Sequence, residues 1–317
     1  MSILITGAQG YIGQQLISTC SENSLRAVGC VRTVSQSETL NSESVLIEDI
    51  VSFGQWDEIL NGYAAIIHLA ARAHVLSEIS YSPIDEFRKV NRDATLRLAK
   101  SASSAGLKRF IYMSSIGVLG NSAPMEHAFN NNSIYAPKEP YAISKMEAEV
   151  GLKVISESTG MEVVIVRPPL VYGPAAPGNF QRLLKLVDTG LPLPLARLNG
   201  IKSMISLENL CDLLVRTVST PLPKFSKFVV SDGSDWSTAD LVRLIAKYMD
   251  KRQSLFPAPV PLLKAVAAIV GRSEDIHKLA APLVVDGSET AKVLGWSPVQ
   301  SPEDGVRKAV EFYLANK

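Results

Sequence analysis

Short apolar runs alternate with amphipathic stretches through the first half of the chain. The runs lie at 2–6, 25–31, 45–50, 64–71, 109–113 and 162–167, and several are rich in Val and Ile. Continuous apolar runs of this length suit strands covered on both faces, as in a parallel sheet. Between them the spacing predicts helices, the longest at 84–105 and 141–158. In the first of these, Val90, Ala94, Leu98 and Ala102 recur on one side until Gly106 stops the pattern. In the second, Pro140 suits the first helical turn. Strand and helix alternating over about 170 residues is the signature of an α/β, Rossmann-type doubly wound parallel sheet. Ligands of such sheets sit beyond the carboxyl ends of the strands.

From about Pro174 that rhythm fades, and proline clusters at 191–194, 221–223 and 257–259 punctuate the chain. The expected organisation is a nucleotide-binding domain over 1–173. Residues 174–317 then form mainly a smaller C-terminal substrate lobe, with room for some segments to return to the sheet. A separate sheet layer is not expected there. A formal net charge of +1 over 317 residues gives no footprint for nucleic acid or an anionic membrane. No apolar stretch is long enough to insert in a membrane, the apolar start lacks a basic leader, and the three cysteines are far apart. These features fit a soluble, cytoplasmic protein. His68, His74, His127 and His277 lack metal-ligand spacing, so no metal site is expected.

Gly7-Ala8-Gln9-Gly10-Tyr11-Ile12-Gly13 falls between the first strand and the first helix. That order makes an anion site, with backbone N–H groups and the helix dipole aimed at a phosphate. Where a dinucleotide site would show a carboxylate after the second strand, this chain has Arg32. A cation there favours a 2′-phosphate, hence NADP over NAD. Asp49 and Ile50 close the third run beside the expected adenine, and Leu69, Ala70 and Ala71 end the fourth, where the two small alanines let a cofactor lie close. Tyr141 and Lys145 stand four residues apart and share a helix face. A phenol needs roughly 4 kcal/mol of help to lose its proton at neutral pH. A cation about 4–5 Å away supplies roughly 3–4 kcal/mol at an effective dielectric near 20. Lys145 is therefore expected to lower the pKa of Tyr141 and make it a usable acid or base.

The set of motifs resembles the extended short-chain dehydrogenases/reductases of the nucleotide-sugar epimerase/dehydratase group. The carriers are the Gly7–Gly13 turn, His68-Leu69-Ala70-Ala71, Val90-Asn91, Met113-Ser114-Ser115, Pro140-Tyr141-Ala142-Ile143-Ser144-Lys145 and Arg167-Pro168-Pro169-Leu170-Val171-Tyr172-Gly173-Pro174, with Asp286, Leu294-Gly295-Trp296 and Pro298 near the end. The resemblance implies Tyr141 as catalytic acid/base, Lys145 as its partner and ribose ligand, and Ser115 as the hydroxyl that bonds the reacting sugar oxygen. It implies that Asn91 and the backbone around Pro168 hold the cofactor. Asn179, Lys202 and, more loosely, Arg272 would hold the nucleotide diphosphate. Leu170 stands where the family often has Asn, which suits a deoxygenated or N-acetylated sugar. A homodimer through the two long helices is also implied.

Three functions follow from the resemblance. The favoured one is NAD(P)H-dependent reduction of a UDP-linked 4-keto-6-deoxy-hexosamine in surface-polysaccharide synthesis, because Arg32 fits an exchanging NADPH. The alternative is a UDP-hexose 4-epimerase (UDP-glucose or UDP-GlcNAc) with bound NAD. The third is a non-enzymatic NAD(P) sensor, against which an intact Ser115, Tyr141 and Lys145 argue.

Overall fold

The computed structural model describes residues 1–40, 42–73, 82–198, 200–252, 254–259 and 280–317. Seven parallel strands form the main sheet. In chain order they begin with β1 (Ser2–Thr6), β2 (Arg26–Val31), β3 (Glu43–Leu46) and β4 (Ala65–His68). β5 (Arg109–Met113) and β6 (Glu162–Arg167) follow. Their spatial order is β3-β2-β1-β4-β5-β6, and a strand from the second half, Phe225–Val229, closes the edge beside β6. β1, β4 and β5 lie centrally, and every residue of β5 is buried, as its unbroken apolar run requires.

On one face pack helix α1 (Tyr11–Glu22) and a helix from the second half, Leu207–Ser219, which share a core with Ile3, Ile5, Ile67 and Ile111. The other face carries the two long helical segments around Leu4, Ile66, Phe110 and Leu152. One of these is the helix Pro140–Thr159, here the catalytic helix, which begins with Pro140 in its first turn and ends at Gly160 in a left-handed conformation (φ 78°).

The helix expected over 84–105 is not uniform. Pro83–Arg88 and Thr95–Ser104 are α-helical, but Lys89–Ala94 between them is a π-helical turn. A widened turn of this kind re-aims side chains and often marks a functional site. Here it is centred on Asn91.

The second half departs further from expectation. Leu170–Tyr172, Ile201–Ser206 and Asp235–Ser237 form a separate three-stranded sheet, so a further sheet layer is present after all. Its strands are short or antiparallel on one side, and the proline-rich connections between them hide any regular alternation. A third core, around Phe180, Leu184, Leu198, Val242 and Val310, fills this lobe.

Candidate active site

The glycine turn is built for close approach. Gly7 has φ 71°, and a Cβ there would lie 2.8 Å from the backbone N of Ala70. A Cβ on Gly13 would sit 2.3 Å from the carbonyl oxygen of Gly7. The turn therefore presses β1, α1 and the end of β4 together in a way only glycine permits. Gly10 caps α1 without a side chain, so the helix N-terminus is left to the backbone donors and the dipole. Leu69 and Ala70 are half-buried against this turn, and Ala71 is exposed beyond it. Arg32 lies exposed just past β2, its backbone N–H donating to the Gln36 side chain at 2.8 Å. Asp49 is exposed and spends one carboxylate oxygen on the Val51 N–H, at 2.9 Å, beside the half-buried Ile50.

Ser115 lies two residues past β5 and caps a short 3₁₀ turn, its hydroxyl accepting from the Gly117 N–H at 3.2 Å. The Ile116 N–H donates to the Pro168 carbonyl at 2.9 Å, which ties this turn to the end of β6. Lys145 is buried, and its ammonium donates to the Met113 carbonyl at 2.7 Å. It lies 4.5 Å from the ring centre of Tyr112 and 6.0 Å from that of Tyr141. Ser115, Tyr141 and Lys145 thus gather at the carboxyl end of β5.

The electrostatics correct one expectation. Burial pushes the Tyr141 phenol up to about 12, and burial brings the Lys145 ammonium down to about 7, opposed by the charge of Glu149. The Coulomb gain expected from Lys145 is therefore overridden by desolvation in the protein alone.

Asn91 also differs from the implied role of cofactor ligand. It is fully buried, and its amide accepts from Arg72 N at 2.9 Å while donating to Arg72 O at 3.1 Å and to the Ser144 hydroxyl at 3.0 Å. Committed in this way, the side chain clamps the segment after β4 to the catalytic helix rather than reaching outward. Pro168 is buried and its carbonyl accepts from the Ile116 N–H, which aims the Ser115 turn.

In the second lobe, Asn179 is exposed at the start of the helix Asn179–Asp188, whose cap is Gly178 at φ 75°. Lys202 is half-buried and donates to the Ala281 carbonyl at 2.7 Å, and burial lowers its pKa. A cavity of about 440 Å³ lies next to it along the strand, lined in part by Met125, Glu126, Arg197, Ile201 and Val284. Leu170 is exposed on Leu170–Tyr172. Arg272, His74 and His277 lie outside the described residues. Among the described residues no group of three His, Cys, Asp or Glu could hold a metal, and no helix is long and apolar enough to cross a membrane.

Two networks were not anticipated. Glu149 and Arg167 form a fully buried ion pair, with Nη2 at 2.5 Å from Oε2, and Glu149 also accepts from Ser114 at 2.5 Å and Tyr135 at 2.8 Å. The available signal was a carboxylate four residues after Lys145 on a buried helix face, facing an arginine that ends an apolar strand. The second network runs through His68, which the sequence marks as lacking metal-ligand spacing.

Residues 3–190 match the NAD dependent epimerase/dehydratase family. The chain belongs to this family. Its relatives include a UDP-glucose 4-epimerase of Vibrio cholerae, 35% identical over 99% of this chain and 95% of that protein. A dTDP-glucose 4,6-dehydratase of Neisseria meningitidis is 24% identical over 99% of this chain and 94% of its own length. Among solved structures, the UDP-glucuronic acid 4-epimerase of Bacillus cereus in complex with UDP-glucuronic acid and NAD aligns over the whole of both chains, with a TM-score of 0.80 and 21% identity. The UDP-glucose 4-epimerase of Thermotoga maritima with UDP-glucose aligns over 100% of this chain and 99% of that one, with a TM-score of 0.79 and 22% identity. The family chain is thus an enzyme on the Rossmann-type α/β fold. The glycine cradle fits the family's cofactor: a Cβ would fill it at Gly7 and Gly13, and no side chain caps the helix it opens.

Proposed function

We propose that this protein is an NAD-dependent 4-epimerase of a UDP-linked hexose. The observation that carries the reading is the end-to-end similarity to the Vibrio cholerae UDP-glucose 4-epimerase, with Ser115, Tyr141 and Lys145 gathered at the carboxyl end of β5. When bound, NAD supplies a reversible hydride acceptor whose ring charge also favours a nearby phenolate. Tyr141 takes the C4 hydroxyl proton as the C4 carbon is oxidised to a ketone, and returns it after the sugar presents its other face. Ser115 donates to the same oxygen and steadies its developing charge. Lys145, held by Met113 and the Tyr112 ring, sits where its charge acts on the Tyr141 side of the site. Asn179, Lys202 and, by family pattern, Arg272 are assigned to the UDP diphosphate.

A specific observation favours a second reading, reduction of a UDP-linked 4-keto-6-deoxy-hexosamine. Arg32 is exposed at the end of β2, where a ribose-binding carboxylate would select NAD. Incubation with and without added NADPH decides between the two, epimer formation being read without it. Formation of the C4 epimer from UDP-glucose or UDP-GlcNAc supports the epimerase. Oxidation of NADPH only with UDP-2-acetamido-2,6-dideoxy-hexos-4-ulose replaces it by the reductase. In either case Arg32→Asp should raise KM for NADP relative to NAD by about 10-fold or more, the loss of one charge-assisted contact. An unchanged ratio removes Arg32 from cofactor selection.

The assembly proposed is a homodimer through the long helical segments. Val150 and Val154 are exposed one turn apart on the catalytic helix, an apolar stripe that a second copy would cover. Sedimentation at micromolar concentration should show a dimer, and a monomer there ends that assignment.

A further inference from the structure

One buried residue that the proposed chemistry leaves unused is His68, at the end of β4 and 0% exposed. Its ring has a polar partner at each nitrogen. Nδ1 lies 2.6 Å from the Thr6 hydroxyl, and Nε2 lies 2.9 Å from the Thr95 hydroxyl. The directions of these bonds are settled by their neighbours. The Thr95 hydroxyl donates to the Asn91 carbonyl at 2.9 Å, so its one proton is spent and it must accept from Nε2–H. The Thr6 hydroxyl accepts from the Ala70 N–H at 3.3 Å and is free to donate to Nδ1. The ring is therefore neutral, with its proton on Nε2.

The two ends of this chain of bonds lie in different functional places. Thr6 and Ala70 flank the Gly7 cradle. The Asn91 carbonyl sits in the π-helical turn and also accepts from the Tyr112 hydroxyl at 3.2 Å, while the Tyr112 ring underlies the Lys145 ammonium. The His68 and Tyr112 rings are stacked, their centres 5.8 Å apart. The charged and titratable groups facing His68 are Lys145 from the catalytic helix and Tyr112 from β5; Thr6 and Thr95 carry no charge. A second positive charge at this point would oppose Lys145, and burial together with Lys145 holds the imidazole pKa down to about 3.

We propose that His68 is a positioning residue, fixed as the neutral Nε2–H tautomer, that couples the cofactor cradle at Thr6 and Ala70 to the Asn91 turn and the Lys145 platform. The inference rests on the reading of Lys145 as catalytic, but its two halves are separable by chemistry. In His68→Asn, the side-chain oxygen replaces Nδ1 as the acceptor for Thr6, and the link to Thr95 is lost. In His68→Gln, the amide nitrogen replaces Nε2 as the donor to Thr95, and the acceptor for Thr6 is lost.

The test uses the full-length protein and NADH as probe. His68→Gln should weaken NADH binding about 5–10-fold, as expected for one lost hydrogen bond at the cradle, with kcat changed less than about twofold. His68→Asn should show the reverse, with NADH affinity held and kcat down about 5–10-fold. Equal losses in both quantities for both variants would mean that His68 merely packs, and would overturn the proposal. Should either variant fail to fold, ¹⁵N-histidine NMR of the unsubstituted protein still decides it. A buried resonance with the Nε2–H pattern, unchanged from pH 5 to 8, is the expected result. An Nδ1–H pattern, or titration near the ordinary histidine pKa, sinks it. Neither the NMR pattern nor NADH affinity depends on which sugar is the substrate, so failure here and failure of the epimerase reading are told apart.

Discussion

Tyr141→Phe is expected to lower kcat by about 10³-fold, the usual range for loss of a positioned acid/base, while leaving the folded state almost unchanged. Its hydroxyl makes no hydrogen bond among the described residues, and its ring keeps its edge contact with Phe87, so the substitution removes chemistry but no packing. Lys145→Met is expected to lose activity on the same scale and to gain stability. The lysine stem is buried in an apolar slot, and its charge is held at a cost that burial alone imposes. The sign can be worked out from its pKa. The folded protein releases this proton near pH 7, whereas the unfolded chain keeps it until about 10.5, the ordinary lysine value. Between those values the unfolded chain binds more protons, so this residue makes folding stability rise with pH. The methionine variant should lose that part of the slope and melt higher at pH 7, by a few degrees on the scale of about 2 °C per kcal/mol. Thermal melts at pH 7 and 9 with steady-state kinetics check both halves. Full turnover in Tyr141→Phe would end the proposed chemistry, and a lower melting temperature for Lys145→Met at pH 7 would end the desolvation argument.

The parallel sheet was legible in the sequence because central strands buried on both faces must be apolar throughout, and 64–71 and 109–113 say so directly. The edge strand Phe225–Val229 was not. It pairs on one side only, and Ser226 and Lys227 break the apolar run. Leu170–Tyr172 is three residues long, too short for periodicity to speak. Of the site, the glycine turn and the Tyr-Lys pair could be placed because their spacing is local. The roles of Asn91, His68 and Glu149 could not, because their partners lie 14 to 62 residues away in the chain. Spacing also misjudged the Tyr141–Lys145 balance: it gives distance along the helix but not burial, and here burial decides which group holds its proton.

The buried pair beneath Ser115 should be the most sensitive point of the fold. Both Glu149 and Arg167 are fully inaccessible, and the carboxylate accepts from Arg167, Ser114 and Tyr135 together. Glu149→Gln removes the charge but little volume, leaving the guanidinium uncompensated in a dry site. Breaking a buried pair in this way costs about 3–5 kcal/mol. At about 2 °C per kcal/mol for a chain of this size, the melting temperature should fall by about 6–10 °C. The activity loss should exceed what unfolding explains, since Ser114 precedes Ser115 and Arg167 precedes Pro168, whose carbonyl holds the Ser115 turn. Removing both charges at once, Glu149→Leu with Arg167→Met, should recover most of the stability because no charge is left unpaired. It should not recover kcat, because the Ser114 and Tyr135 hydroxyls still lack their shared acceptor and the turn they steady is looser. Unfolding followed by circular dichroism, with kcat measured well below the transition, separates the two effects. A Glu149→Gln protein that melts within about 1 °C of the parent would show that this carboxylate does not carry the charge assigned to it, since the loss expected for a buried ion is several-fold larger.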